Sequence, residues 1–201
     1  MQKSKFITIY GINNVGKSTQ AKLLVEKLES SGYKAKYVKY PIYDLEPTGP
    51  FLNKVLRGSD DLSKKISEDE LQLWFILNRY QYEPELIKML ESGYTVVAED
   101  YIGTGIAWGT AKGLDQTWLI DSNKYLLKED LSILIEGERD ARVIEKNHMH
   151  EQNPELIEKC TKILDDLAIK YGWQRVRRKE KVEQTADDLW NTVEKFLQNK
   201  I

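Results

Sequence analysis

The sequence predicts an α/β fold: a five-stranded parallel sheet with helices on both faces. Three observations lead there. Five short strand-like runs, near positions 6–10, 34–40, 94–98, 131–135 and 173–176, alternate with stretches of helical periodicity. Crossovers that contain a helix join parallel strands and cover the sheet on both sides. The first run and the first helical stretch are joined by a turn bracketed by Gly11 and Gly16, and no internal repeat, linker or low-complexity tract divides the 201 residues. That length suits one domain with a substantial core, here taken as 1–201.

Phe6-Ile7-Thr8-Ile9-Tyr10 is β-branched and aromatic, as a buried strand is. Thr19 to Ser30 carries Leu23, Leu24 and Leu28 at helical spacing. Lys34 to Tyr40 reads as the second strand, ended by Pro41, and Asp44 to Pro50 as a loop of turn formers. Phe51 to Leu56 is a short helix closed by Gly58, and 59–65 is polar. A long helix starts at Ser67, where Ser67 and Glu70 have capping-box spacing; Leu71, Trp74, Phe75, Leu77 and Asn78 share a face. Pro84 is expected to kink or divide it, and Gly93 to close it.

Tyr94 to Ala98 is the third strand, with Glu99, Asp100 and Tyr101 at its carboxyl end. The glycines of 103–113 predict a broken helix. Leu131 to Ile135 is the fourth strand; 138–146 and 155–171 are helical, with polar 147–154 between them. Trp173 to Val176 is the fifth strand and Ala186 to Leu197 the last helix. His148 and His150, at i and i+2, do not face each other on a helix and read as part of a solvated loop, not as metal ligands.

A net charge of −2 gives no broad surface for nucleic acid or an anionic membrane. No apolar run approaches the roughly 18 residues of a span, and the N-terminal residues run into the first strand without the pattern of a signal peptide. Cys160 is the sole cysteine, so no intramolecular disulfide forms, which suits a reducing cytoplasm. Its neighbours Leu156, Ile157, Ile163 and Leu164 make it a packing residue.

Gly11-Ile12-Asn13-Asn14-Val15-Gly16-Lys17-Ser18-Thr19 fits G-x-x-x-x-G-K-[ST] between a strand and a helix. In such a loop the glycines let the backbone wrap an anion, and the N–H groups and the helix N-terminus face phosphate. Lys17 brings charge to the outer phosphates, and the Ser18 hydroxyl reaches Mg²⁺. The expectation is a nucleoside triphosphate site at the carboxyl ends of the strands. Phe75 and Arg79, one turn apart, share a helix face and can stack a flat base and read its edge; the plain alternative is a core ring beside a surface ion pair.

Beyond the loop, the segments YGINNVGKSTQAK (10–22), Tyr40-Pro41-Ile42-Tyr43, Leu77-Asn78-Arg79-Tyr80, EDYIGTGIA (99–107) and KEDLSILI (128–135) make the chain resemble thymidylate kinases along nearly its whole length. The resemblance implies a P-loop kinase fold with a short lid at about 146–153, ATP and Mg²⁺, transfer of the γ-phosphoryl group to dTMP, and a homodimer. It assigns Lys17, Glu99 and Arg142 to catalysis. Gly11, Asn13, Asn14, Val15, Gly16, Lys17, Ser18, Thr19, Arg139 and Arg142 would bind ATP, with Ser18 and Glu99 at the metal. Pro41, Tyr43, Phe75, Arg79, Asp100, Thr104, Gly105 and Trp108 would bind the acceptor.

The departures are as informative. Family members commonly carry Asp where Asn13 stands, Glu-Arg where Ile42-Tyr43 stands, and Asp-Arg-Tyr where Glu99-Asp100-Tyr101 stands. Glu99 can keep the acid's role, but Asp100 cannot supply a positive charge where two phosphates meet. Arg139 and Arg142 are the first candidates to replace it, with Lys146, Lys39 and Arg57 behind them. Two alternatives follow: a nucleoside kinase, in which Glu99 or Asp100 acts as base on a 5′-hydroxyl, and a nucleotide-binding module with little turnover.

Overall fold

A computed structural model describes residues 4–57, 65–139 and 153–199. Its five strands are β1 (Phe6–Tyr10), β2 (Ala35–Lys39), β3 (Thr95–Glu99), β4 (Leu131–Glu136) and β5 (Gln174–Arg177). They form one parallel sheet in the order β2-β3-β1-β4-β5. β1 and β3 are buried at every position, as strands covered on both faces must be. In register, Ile9 lies beside Glu99, and Tyr10 beside Leu134. The turn after β1 therefore opens next to the acidic end of β3.

The helices are α1 (Lys17–Ser30), α2 (Thr48–Leu56), α3 (Glu68–Glu91), α4 (Ile102–Ala111), α5 (Gln116–Ser122), α6 (Pro154–Tyr171) and α7 (Val182–Leu197). α1 packs on α7, while α4 packs on α6, α5 and α3. These two layers cover the sheet around a core that includes Phe6, Ile9, Val97, Ile133, Leu164 and Leu189. A smaller cluster of Leu52, Val55 and Leu71, with Phe51, Trp74 and Phe75 against it, joins α2 to α3.

Several expectations need correction. α1 begins at Lys17, two residues before Thr19, because the loop runs straight into the helix. α2 begins at Thr48 rather than Phe51: Gly49 meets the carbonyls of Ile42 and Tyr43, and Pro50 falls in its first turn, where a missing N–H costs nothing. Ser67 is the N-cap of α3, but its side chain makes no capping bond; its hydroxyl serves Asp69 instead, so the capping box with Glu70 does not form. Pro84 does not divide α3, which is 24 residues long; buried Ile76 and Leu86 anchor it on either side. Leu77 lies on the outer face, 49% exposed, beside Leu73.

The largest correction is α4. The glycine-rich stretch is a continuous helix, since its glycines are contact points: a Cβ at 103 would come within 2.5 Å of Trp173, and one at 109 within 2.8 Å of Leu119. α5 has no counterpart in the sequence reading; Asp115 caps it by accepting from the Thr117 and Trp118 N–H groups at 2.6 and 3.1 Å. α7 starts at Val182, a turn before Ala186. Glu138 and Arg139 are not helical, and the rest of the expected helix to Lys146, most of the lid, both histidines, and Gly58 lie outside the described residues.

Candidate functional site

The loop from Gly11 to Gly16 leaves the end of β1 and delivers Lys17 as the first residue of α1. Gly11 has φ +150°, and a Cβ there would meet the Ile135 carbonyl at 2.8 Å, so only glycine fits. Asn14 also takes a left-handed backbone, at φ +64°. Lys17 is 5% exposed; its ammonium donates to the Gly11 and Ile12 carbonyls at 2.8 and 3.0 Å and lies 3.7 Å from Asp100 Oδ1. Arg139 Nε donates to the Asn13 carbonyl at 3.2 Å, which fixes that arginine beside the loop.

The end of β3 supplies the acids. Glu99, 3% exposed, accepts from Ser18 Oγ at 2.7 Å and from the Tyr37 hydroxyl, and pairs with Lys39 Nζ at 3.1 Å. Burial pushes its carboxyl up, but Lys39, Lys17 and the two hydroxyls outweigh burial and hold it below the usual glutamate value. Asp100 follows in a left-handed conformation, φ +61°, with Thr104 Oγ1 donating to it at 2.8 Å. Burial, and then the neighbouring Glu99 charge, raise it above the ordinary aspartate value against the pull of Lys17. Ser18 and Glu99 are thus side by side. Two hard oxygens fit Mg²⁺, which takes one or two protein ligands and completes its shell with phosphate and water.

The other end is built on α3. Asn78 is fully buried: its Oδ1 accepts from the Ile42 N–H at 2.8 Å, and its Nδ2 donates to the Ile42 carbonyl at 3.0 Å and to Thr48 Oγ1 at 2.8 Å. One side chain therefore fixes the segment after Pro41 and the start of α2. Arg79, 4% exposed, donates from Nε to Asn123 Oδ1 at 3.2 Å and from Nη1 to the Tyr101 carbonyl at 3.4 Å. Burial lowers its guanidinium to about 10, still charged at neutral pH. Gly105 gives it room, since a Cβ there would stand 3.0 Å from Nη2.

A single cavity of about 460 Å³ joins the two ends. Its lining includes 13–19 from the loop, and Pro41, Tyr43, Phe75, Arg79, Asp100, Thr104, Gly105 and Trp108 from the acceptor set. Gly11 lies behind the loop and Arg139 beside it, neither lining the cavity, and Arg142 is outside the described residues. Sequence reasoning gave no role to Gln72, Asn78 or the wall of Arg178, Lys179, Glu180 and Val182, all of which line the cavity. Asn78 lay inside a quoted motif, and Gln72 shares the Phe75–Arg79 face, so both had a signal; the β5–α7 wall had none, because it meets the loop only through the fold. Of the candidate replacement cations, Lys39 and Arg57 line the cavity, and Arg57 lies over the Tyr43 ring at 5.6 Å.

Strand order and loop place the protein in the phosphate-binding-loop class of α/β nucleotide-binding folds. Comparison with known proteins narrows the class. A family model described as thymidylate kinase matches residues 9–189, and the chain belongs to that family. A relative named "Probable thymidylate kinase" from Thermococcus kodakarensis is 36% identical over 140 residues, 65% of each chain. The thymidylate kinase of Schizosaccharomyces pombe is 31% identical over 163 residues, 81% of this chain and 74% of its own. The chain thus spans about 65% of the length of the Thermococcus relative. The solved structure of thymidylate kinase from Candida albicans superimposes with a TM-score of 0.77 at 25% identity, covering 96% of this chain and 92% of that one. Among the described residues no helix is long and apolar enough to cross a membrane.

Proposed function

We propose that the protein transfers the γ-phosphoryl group of ATP to dTMP, giving dTDP and ADP. The observation that carries this is the single cavity, with a phosphate-binding loop at one end and the Phe75–Arg79 face at the other. The loop amides and Lys17 hold the donor phosphates, with Arg139 and Arg142 as donor-side cations. Ser18 and Glu99 are the residues that would hold Mg²⁺, which when bound offsets charge on the phosphate oxygens. An oxygen of the acceptor phosphate attacks the γ-phosphorus in line, and the bond to the β–γ bridging oxygen breaks. Little of this needs covalent help from the protein; its work is positioning and charge.

On the acceptor side the base stacks on Phe75, its edge meets Arg79, and Thr104, Gly105 and Trp108 line the pocket beside that arginine. Pro41 and Tyr43 flank the sugar. Asp100 brings no positive charge, and Lys39 and Arg57 stand on the same wall as Tyr43 to meet the acceptor phosphate. A homodimer in the cytoplasm completes the reading; the exposed Leu73 and Leu77 on α3 and the reduced, buried Cys160 support it.

The test is product formation from ATP with dTMP, dUMP, dCMP, dAMP, dGMP and thymidine. The expected result is dTDP as the preferred product, dependent on Mg²⁺. A preference for thymidine would instead favour a nucleoside kinase, and no acceptor-dependent ADP would favour a binding module.

A further inference from the structure

Two buried polar atoms on the acceptor wall have no hydrogen-bond partner among the described residues: Arg79 Nη2 and Gln72 Oε1. Both residues line the cavity, and both are almost wholly buried, at 4% and 1% exposure. Leaving such atoms unsatisfied is costly, so each marks a place where a ligand group is expected. They sit on one face of α3, with Phe75 between them in sequence. Both heads lie against glycines of α4: Arg79 Nη2 is 3.0 Å from where a Cβ at 105 would stand, and the Gln72 amide carbon is 3.4 Å from one at 109. Those glycines are one helical turn apart, roughly 6 Å along the helix, so the two heads pack against successive turns of α4.

The orientation of the Gln72 amide is fixed by its surroundings. Its Nε2 donates to Glu68 Oε1 at 3.0 Å, and a carboxylate can only accept from it. Glu68 is itself held by Lys112 Nζ at 2.6 Å. The carbonyl oxygen of Gln72 is therefore the acceptor left without a partner, on a residue that lines the cavity. The wall offers one donor, from Arg79, and one acceptor, from Gln72.

We propose that Gln72 accepts the ring N–H of the acceptor base while Arg79 donates to the adjacent carbonyl, so that the pair reads a lactam edge. This rests on the base-binding reading above and goes beyond it by assigning the second half of the edge. Thymine presents that edge through O4 and N3–H. Cytosine presents an amino group and an unprotonated ring nitrogen, the reverse pattern, and leaves both protein groups unpaired. A site built to pair a particular N–H discriminates strongly against analogues that lack it.

The test compares kcat/KM, and binding by calorimetry, for dTMP, N3-methyl-dTMP and dCMP in wild type, Gln72→Met and Gln72→Leu, with thermal melts to verify folding. Wild type is expected to favour dTMP over N3-methyl-dTMP by roughly 10²-fold. Each Gln72 variant should weaken dTMP roughly 5- to 150-fold. Discrimination against N3-methyl-dTMP should collapse to within about threefold, with the KM for ATP unchanged. A role in packing alone would weaken both ligands alike and preserve their ratio, which would overturn the proposal. So would wild type that accepts N3-methyl-dTMP as readily as dTMP. Wild type that prefers dCMP to dTMP would overturn the acceptor reading as well, so the two failures are distinguishable.

Discussion

The two ends of the cavity are made in different ways. At the donor end, nine consecutive residues shape the backbone itself around an anion, and the side chains Lys17, Ser18, Glu99 and Asp100 interlock at 2.7–3.7 Å. At the other end the lining comes from several separate short segments and not from one loop. Asn78 and Arg79 reach across to segments far away in sequence, with Asn78 gripping Ile42 and Thr48, and Arg79 gripping Asn123 and the Tyr101 carbonyl. The donor end can be altered with small effect on the rest of the fold, whereas the acceptor end is part of what holds the fold together.

That contrast can be broken most directly at Lys17. Lys17→Ala should lower kcat/KM roughly 10²- to 10³-fold, as loss of a single preorganised charge does, with melting temperature little changed. A folded variant with near-wild-type turnover would refute the donor assignment. Asn78→Ala should do the opposite. It leaves the Ile42 N–H and carbonyl without their partner and removes a donor from the Thr48 hydroxyl, at a cost of about 2–3 kcal/mol in urea unfolding. It should raise the KM for dTMP more than the KM for ATP. Equal losses for both substrates would erase the distinction between the two ends.

Phe75→Ala sharpens the comparison within the acceptor end. Base stacking contributes about 1–3 kcal/mol, so the KM for dTMP should rise roughly 5- to 150-fold while that for ATP stays put. Normal dTMP affinity would reassign Phe75 to its packing contact with the small α2–α3 core.

The smallest effect concerns pH. Asp100 is raised in the folded protein, so the native state holds its proton more tightly than the unfolded chain does. Stability from this group is therefore full below the unfolded value and falls as pH rises through the window from there to the raised value. Glu99 is lowered, and its contribution runs the other way: present above the unfolded value and lost as pH falls through the folded one. Asp100→Asn should remove the alkaline-side loss and leave the acid-side loss. Melting curves across the carboxylate range would reveal it; parallel profiles for wild type and variant would show that Asp100 is not raised.

The same contrast explains how far the sequence could be read. The loop was legible because its motif is written in contiguous residues, and β1, β3 and β4 because their runs are mostly apolar. The grip of Asn78 on Ile42 spans 36 positions, so the segment that holds Asn78 does not reveal its partner. α4 was misread for a physical reason: propensity counts each glycine against a helix, whereas packing against Trp173, Arg79 and Leu119 requires them. Lys39 was the reverse case, an ordinary charged residue at a strand end whose position beside Ser18 and Glu99 emerges only when β2 joins β3.

α4 also bears on the order of folding. Gly103, Gly105 and Gly109 each cost roughly 1 kcal/mol of helical preference relative to alanine, so this ten-residue segment has no reason to be helical by itself. It becomes a helix only when Tyr10, Trp173, Leu119 and the α3 side chains are in place to receive it. α4 is then a late-forming piece, and substitutions such as Ala107→Gly should speed unfolding and leave the folding rate almost untouched, with φ near zero. The α4 wall of the cavity would thus be assembled last, on a sheet and loop already in place.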